Sequence, residues 1–179
     1  PESKTDYEKL LVENIDLFQP DILGFGCLFS GNFPQVLKLS EASKSKFPKI
    51  PVITGGIHPT IYAKEILENC PSVDWVILGE GEETFVQFIN MYKNKNFNFE
   101  KIDGFAYRKN GETMVNRKIK FIMNPDTIPF PAYELVNLRD YYVDTSGWHN
   151  PKNLPINTSV PIISSRSCPN RCNFCSMFL

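Results

Sequence analysis

Three short apolar runs constrain the fold of this chain more than any other feature. They are DILGFGCL from Asp21 to Leu28, PVIT from Pro51 to Thr54 and VDWVIL from Val73 to Leu78, each followed by a segment with helical periodicity. An apolar run without polar alternation, bounded by turn residues, predicts a strand buried on both faces. Ahead of the first run, Thr5 and Glu8 form a capping-box pattern. Tyr7, Leu10, Leu11, Ile15 and Phe18 then recur at helical spacing until Pro20. A second helix is predicted from Pro34, with Val36, Leu39, Ser43 and Phe47 on one face. A third runs from Pro59 to Asn69, and a fourth from Glu82 to Tyr92 with Phe85, Phe88 and Ile89 inward. Helix and strand in strict alternation predict an α/β domain: a parallel sheet with strands near residues 21–28, 51–54 and 74–78, right-handed crossovers, and helices on both faces.

The alternation stops near residue 95, and the remainder is organised differently. Residues 96–120 read as a β-hairpin extension, because Asn110-Gly111 is a favoured two-residue turn between runs of β-formers. Residues 121–159 carry Pro125, Pro129 and Pro131 and read as an extended connector. Residues 160–179 open with one more apolar strand, VPIISS, that leads into a cysteine cluster. A hydrophobic fraction of 42% and a charged fraction of 22% are those of a globular protein, and no apolar run approaches the roughly 20 residues that span a bilayer. Membrane insertion is therefore not expected. With a formal net charge of -1 and scattered basic residues, no footprint for nucleic acid is expected either. Five cysteines without a framework spacing, and no secretory leader, point to a reducing, cytoplasmic setting.

Two constellations could carry chemistry. In a parallel sheet the loops leaving the carboxyl ends of the strands gather on one edge, where ligands bind. Here these loops are FSGN at Phe29–Asn32, TGGIHP at Thr54–Pro59 and GEGEE at Gly79–Glu83, with Ser30, Gly55, Gly56, His58, Gly79, Glu80 and Gly81 as candidate ligand-contacting residues. The glycines either let the backbone approach a ligand closely or simply form tight turns. His58 alone reads equally as an ordinary loop histidine. Glu80, Glu82 and Glu83 at a helix start would repel a phosphate, so a large, mostly uncharged ligand fits better.

The second constellation is SRSCPNRCNFC, in which Cys168, Cys172 and Cys175 are separated by three residues and then by two. Thiolates bind soft metals, and a loop of this length can wrap three of them around one face of an iron-sulfur cubane, leaving one iron open. A structural zinc site is the alternative. Cys27 and Cys70 read as ordinary buried residues.

Cys168, Cys172 and Cys175, preceded by Arg166, resemble the cluster loop of the radical S-adenosylmethionine enzymes. PDILGFGC, VITGGIHPT, VDWVILGEGEETF and PDTIPFPAYEL together resemble the branch of that superfamily with an N-terminal cobalamin-binding domain of Rossmann-like, flavodoxin-like fold. The resemblance covers nearly the whole chain. It implies a Rossmann-like domain over residues 1–95 and the first strand and cluster loop of a radical-enzyme barrel over 160–179. The implied cofactors are a [4Fe-4S] cluster on the three cysteines, S-adenosylmethionine at the open iron, and cobalamin. Radical methylation, cyclisation or rearrangement of a small organic substrate is the implied chemistry.

The Asp-x-His-x-x-Gly signature of some cobalamin domains is absent, so any cobalamin would be held without that histidine. The sequence reads as an internal piece of a longer enzyme, inactive by itself, with no catalytic residue of its own and a first strand, Asp21 to Leu28, left uncovered at an edge open to dimerisation. The competing reading is a non-catalytic, flavodoxin-like binding or electron-transfer module with a structural metal site.

Overall fold

The computed structural model describes residues 6–137 and residues 166, 168, 170, 172 and 173. The chain divides into two compact units. Described residues up to Ile122 lie in the first, and the second begins at Met123.

The first unit follows the predicted alternation. Helix α1 (Tyr7–Phe18) opens on Asp6, whose carboxylate accepts the Lys9 amide at 3.1 Å, so the observed cap is Asp6, one residue past the predicted box. Only Ile15 of its apolar residues is buried, while Leu17 and Phe18 are exposed. Strand β1 (Leu23–Gly26) leads through a 3-10 turn, Ser30–Asn32, into α2 (Phe33–Lys46), which packs beside α1. Strand β2 (Val52–Gly55) is followed by α3 (Ile57–Ile61) and α4 (Ala63–Asn69), two helices where a continuous one was expected. The break falls at Tyr62, which leaves helical geometry where its ring lies 4.8 Å from that of His58. Strand β3 (Trp75–Ile77) and α5 (Glu82–Lys93) complete the alternation.

Strands β4 (Phe105–Lys109) and β5 (Glu112–Asn116) form the predicted hairpin. Asn110 and Gly111 both have positive φ (53° and 84°), as the favoured two-residue turn requires. The hairpin is part of the main sheet. The order is β1-β2-β3-β4-β5, with β1, β2 and β3 parallel and β4 antiparallel to both neighbours. This mixed sheet places Phe105 and Asn116 beside the carboxyl end of β3, and the Asn110-Gly111 turn at the opposite edge.

Side chains alternate across the sheet and separate two cores. Val52, Val76 and Ala106 point to one face and pack with Ala63, Ile66 and Leu67 of α4. Ile53, Ile77, Phe105 and Tyr107 point to the other and pack with Phe88 of α5 and Phe99. Phe88 is fully buried among the rings of Trp75 and Phe105, at 4.9 and 5.2 Å. Phe85, expected inward, is 41% exposed, its ring 6.3 Å from that of Phe88 at the margin of the cluster. Arg108 ties the hairpin to the end of α4, donating to the carbonyls of Leu67, Cys70 and Val73 at 2.6–3.0 Å.

Strand β1 differs from expectation. It is half-buried: Leu23 and Phe25 pack into the α4-side core, whereas Gly24 and Gly26 are exposed. The reason is its place at the end of the sheet, where the second face offers no side chain to bury. Among the described residues of the second unit, Pro125–Thr127 and Tyr133–Leu135 are short 3-10 turns. The strand expected at Val160 to Ser165 lies outside the described residues.

Candidate functional site

Because β1, β2 and β3 are parallel, the three glycine-bearing loops do leave the sheet at one edge. The register Gly26↔Gly55 brings the first two loops side by side. The chain after β1 and the chain after β2 are then joined directly: the Cys27 amide donates to the Gly55 carbonyl at 2.8 Å, and the His58 amide to the Cys27 carbonyl at 3.3 Å. This contact is closed only because residue 56 is glycine. Gly56 has φ +109°, and a Cβ there would sit 2.5 Å from the Cys27 carbonyl oxygen. Gly55 is under no such demand, since a Cβ there would meet Ile77 at 3.6 Å, an ordinary contact.

The other candidates fall around this joint. His58 Nδ1 lies 2.9 Å from Ser30 Oγ, so the first two loops are also linked through side chains. The imidazole sits between the rings of Phe33 and Tyr62, at 4.5 and 4.8 Å, and burial holds it below its usual pKa, in the neutral form. Thr60 carries the link to the third loop: its hydroxyl donates to the Gly56 carbonyl at 2.7 Å and accepts the Gly79 amide at 2.9 Å. Gly79 has φ +65°, Glu80 accepts the Ile122 amide at 2.7 Å, and Gly81 caps α5, whose first turn holds Glu82 and Glu83. Ser30, Gly55, Gly56, His58, Gly79, Glu80 and Gly81 thus belong to one continuous edge.

Sequence reasoning missed Thr60, Phe33 and Tyr62. The signal for Thr60 was its place one turn after Gly56, where a hydroxyl reaches back to the i−4 carbonyl. Tyr62 stands four residues after His58, a spacing the sequence does show, whereas no sequence signal marked Phe33, which meets His58 from the start of α2.

The edge is apolar around His58. Leu28, Phe29, Ile57, Ile61 and Tyr62 are each between 42% and 69% exposed. Behind it, Gly24 and Gly26 leave the β1 end of the sheet face bare, and a Cβ on Gly26 would meet nothing within 4 Å. The charge placed on the edge is acidic, at Glu80, Glu82 and Glu83, and Lys118 beneath it is engaged by Asp103 and Thr84. Such a surface suits a broad ligand with apolar faces and no dense negative charge. Two hollows, of about 520 and 620 Å³, lie toward the opposite edge and are lined by none of these residues.

Of the cysteines, Cys27 and Cys70 are buried free thiols, as expected. Burial pushes both above the usual thiol range, and the Cys27 thiol donates to the Phe29 carbonyl at 3.3 Å. Cys168 is half-buried and Cys172 exposed, both free. Cys175 lies outside the described residues, so the three-thiolate arrangement does too.

Residues 4–89 match the B12 binding domain family, a span that contains β1, β2, β3 and the three loops. Over that span the chain is similar to B12 binding domains. Its relatives include cobalamin-dependent radical S-adenosylmethionine enzymes, methyltransferases and cyclases. An uncharacterized methyltransferase of Pyrococcus horikoshii is 30% identical over 92% of this chain and 33% of its own length. The anaerobic magnesium-protoporphyrin IX monomethyl ester cyclase of a Synechocystis species is 30% identical over 96% of this chain and 32% of its own length. The radical S-adenosylmethionine methyltransferase TsrM of Kitasatospora setae, solved with cobalamin and a [4Fe-4S] cluster bound, shares the fold. Its TM-score is 0.56 at 13% identity, over 68% of this chain and 23% of that one. The chain spans about a third of the length of the curated relatives it matches.

Proposed function

We propose that this chain supplies the cobalamin-binding domain, and the cysteines of the cluster loop, of a radical S-adenosylmethionine enzyme acting on a small organic substrate. The observation that carries the reading is the edge itself: a glycine joint closed against Cys27, an apolar rim and an acidic flank. Cobalamin, a broad macrocycle with apolar faces, fits that chemistry better than a nucleotide polyphosphate does. The bare face at Gly24 and Gly26 offers room for its extended nucleotide arm. Ser30, Gly55, Gly56, His58, Gly79, Glu80 and Gly81 would hold it, with the neutral His58 fixed by Ser30 and unable to repel the cobalt through charge.

Cys168, Cys172 and Cys175 would hold the cluster, and S-adenosylmethionine would bind its open iron. When bound, these groups supply a carbon radical and a methyl carrier. The relatives' names point to methyl transfer or ring closure as the reaction class. A cytoplasmic setting accords with the thiol chemistry, and no helix among the described residues is long and apolar enough to cross a membrane.

The chain alone is expected to bind cofactors and to leave S-adenosylmethionine uncleaved. Positioning of a reactant can be worth about 7–11 kcal/mol of barrier, and a chain that spans about a third of its relatives' length is not expected to supply all of it. The test is anaerobic reconstitution with iron and sulfide, read by iron content and charge-transfer absorbance. The parent should take up iron, and a variant with serine at residues 168, 172 and 175 should not. Equal uptake by both would remove the cysteines as ligands and take away the main support of the radical-enzyme reading.

A further inference from the structure

The Gly79–Gly81 loop rests on a buried lysine that the cobalamin reading does not itself require. Strand β5 ends at Asn116, paired with Phe105 at the loop edge, and the next residues pass behind the third loop. The Lys118 side chain is 8% exposed there. Its stem runs between two left-handed glycines: a Cβ on Gly79 would stand 3.1 Å from Lys118 Cγ, and one on Gly104 would stand 2.6 Å from Lys118 Cδ. Its Nζ donates to Thr84 Oγ1 at 3.1 Å and pairs with Asp103 Oδ2 at 3.5 Å. Thr84, buried in α5, donates to the Asp103 carbonyl at 2.9 Å. The Asp103 carboxylate also accepts the amides of Ile119 and Lys120, at 3.0 and 3.1 Å, and Glu80 accepts that of Ile122 at 2.7 Å. Residues 118–122 are thus pinned across the third loop at Lys118, at Asp103 and at Glu80.

A nearly buried ion pair is a poor source of stability, because desolvating both charges offsets most of their attraction, and an apolar side chain would fill the slot as well. What the pair provides is a fixed geometry for the loop. Resting on the cobalamin reading, we propose that Lys118 is a positioning residue for the cofactor edge: clamped by Asp103 and Thr84, it holds the Gly79–Gly81 backbone in its ligand-facing conformation.

The test compares the parent chain with Lys118→Met, with the double variant Lys118→Met/Asp103→Asn, and with Lys109→Met. The double variant leaves no unpaired buried carboxylate and so keeps the experiment valid if the single one fails to fold. Lys109→Met removes the exposed pair with Glu100, away from the loops. Hydroxocobalamin affinity is read by absorbance titration, and loop order by hydrogen exchange of the peptide covering residues 77–82. Both Lys118 variants are expected to bind hydroxocobalamin at least tenfold more weakly and to exchange faster at 77–82, with β2 unchanged and Lys109→Met like the parent. Affinity and exchange within twofold of the parent in the double variant would overturn the proposal, as would an equal loss in Lys109→Met. If the parent binds no cobalamin the site reading fails, and exchange at 77–82 alone then decides the clamp.

Discussion

Gly56 is the residue on which the candidate site turns. Its φ of +109° and its closeness to the Cys27 carbonyl mean that any side chain must push the β1 and β2 loops apart. Gly56→Ala should cost about 2–4 kcal/mol in urea unfolding, combining strained backbone with a steric clash. Gly55→Ala should be close to neutral, and equal effects at both positions would contradict the geometry. His58 makes a second prediction at this scale. Its folded pKa is depressed by burial, so between that value and the ordinary value near 6.5 the unfolded chain binds more protons. Stability is therefore complete above pH 6.5 and falls as the pH drops through the folded value. Replacing His58 by Phe should remove that part of the pH dependence in urea midpoints measured from pH 7.5 to 5; an unchanged slope would show that the imidazole is not the titrating group.

At the level of elements, the strand and helix order was legible because each apolar run was bounded by turn residues. Asn110-Gly111 announced its hairpin for the same kind of reason. That the hairpin extends the sheet was not legible, since strand pairing joins residues far apart in sequence and neither β3 nor β4 carries a mark of its neighbour. Nor was the half-burial of β1, whose glycines read as part of an apolar run and lie on its bare side. Among the described residues β1 pairs with β2 alone, and such an edge is a template for another strand. The chain is accordingly expected to dimerise through β1, seen as a mass that rises with concentration in light scattering. The amides of Leu23 and Cys27 point to β2, so by alternation that of Gly24 points away. Gly24→Pro should block the dimer while leaving the β1–β2 ladder intact, and a parent that stays monomeric at high concentration would end the idea.

Across the molecule, the loops and the cysteines that the sequence singled out stand in different positions. The loop edge is a physical object, joined by Gly56, His58 and Thr60, and its makers were half legible. Glycines and His58 announce themselves in GGIHP, with Tyr62 four residues further on, whereas Phe33 and Lys118 come from distant segments and become neighbours only through the fold. The cysteine loop rests on spacing and on the thiols themselves. The central claim is that cobalamin binds at the carboxyl edge of the parallel strands and not in the hollows at the other end. Hydrogen exchange of the chain with and without saturating hydroxocobalamin tests this most directly. Protection is expected in residues 28–33, 54–60 and 78–83 and none in residues 93–100 or 107–111; protection confined to the latter segments, or none anywhere, would contradict binding at that edge.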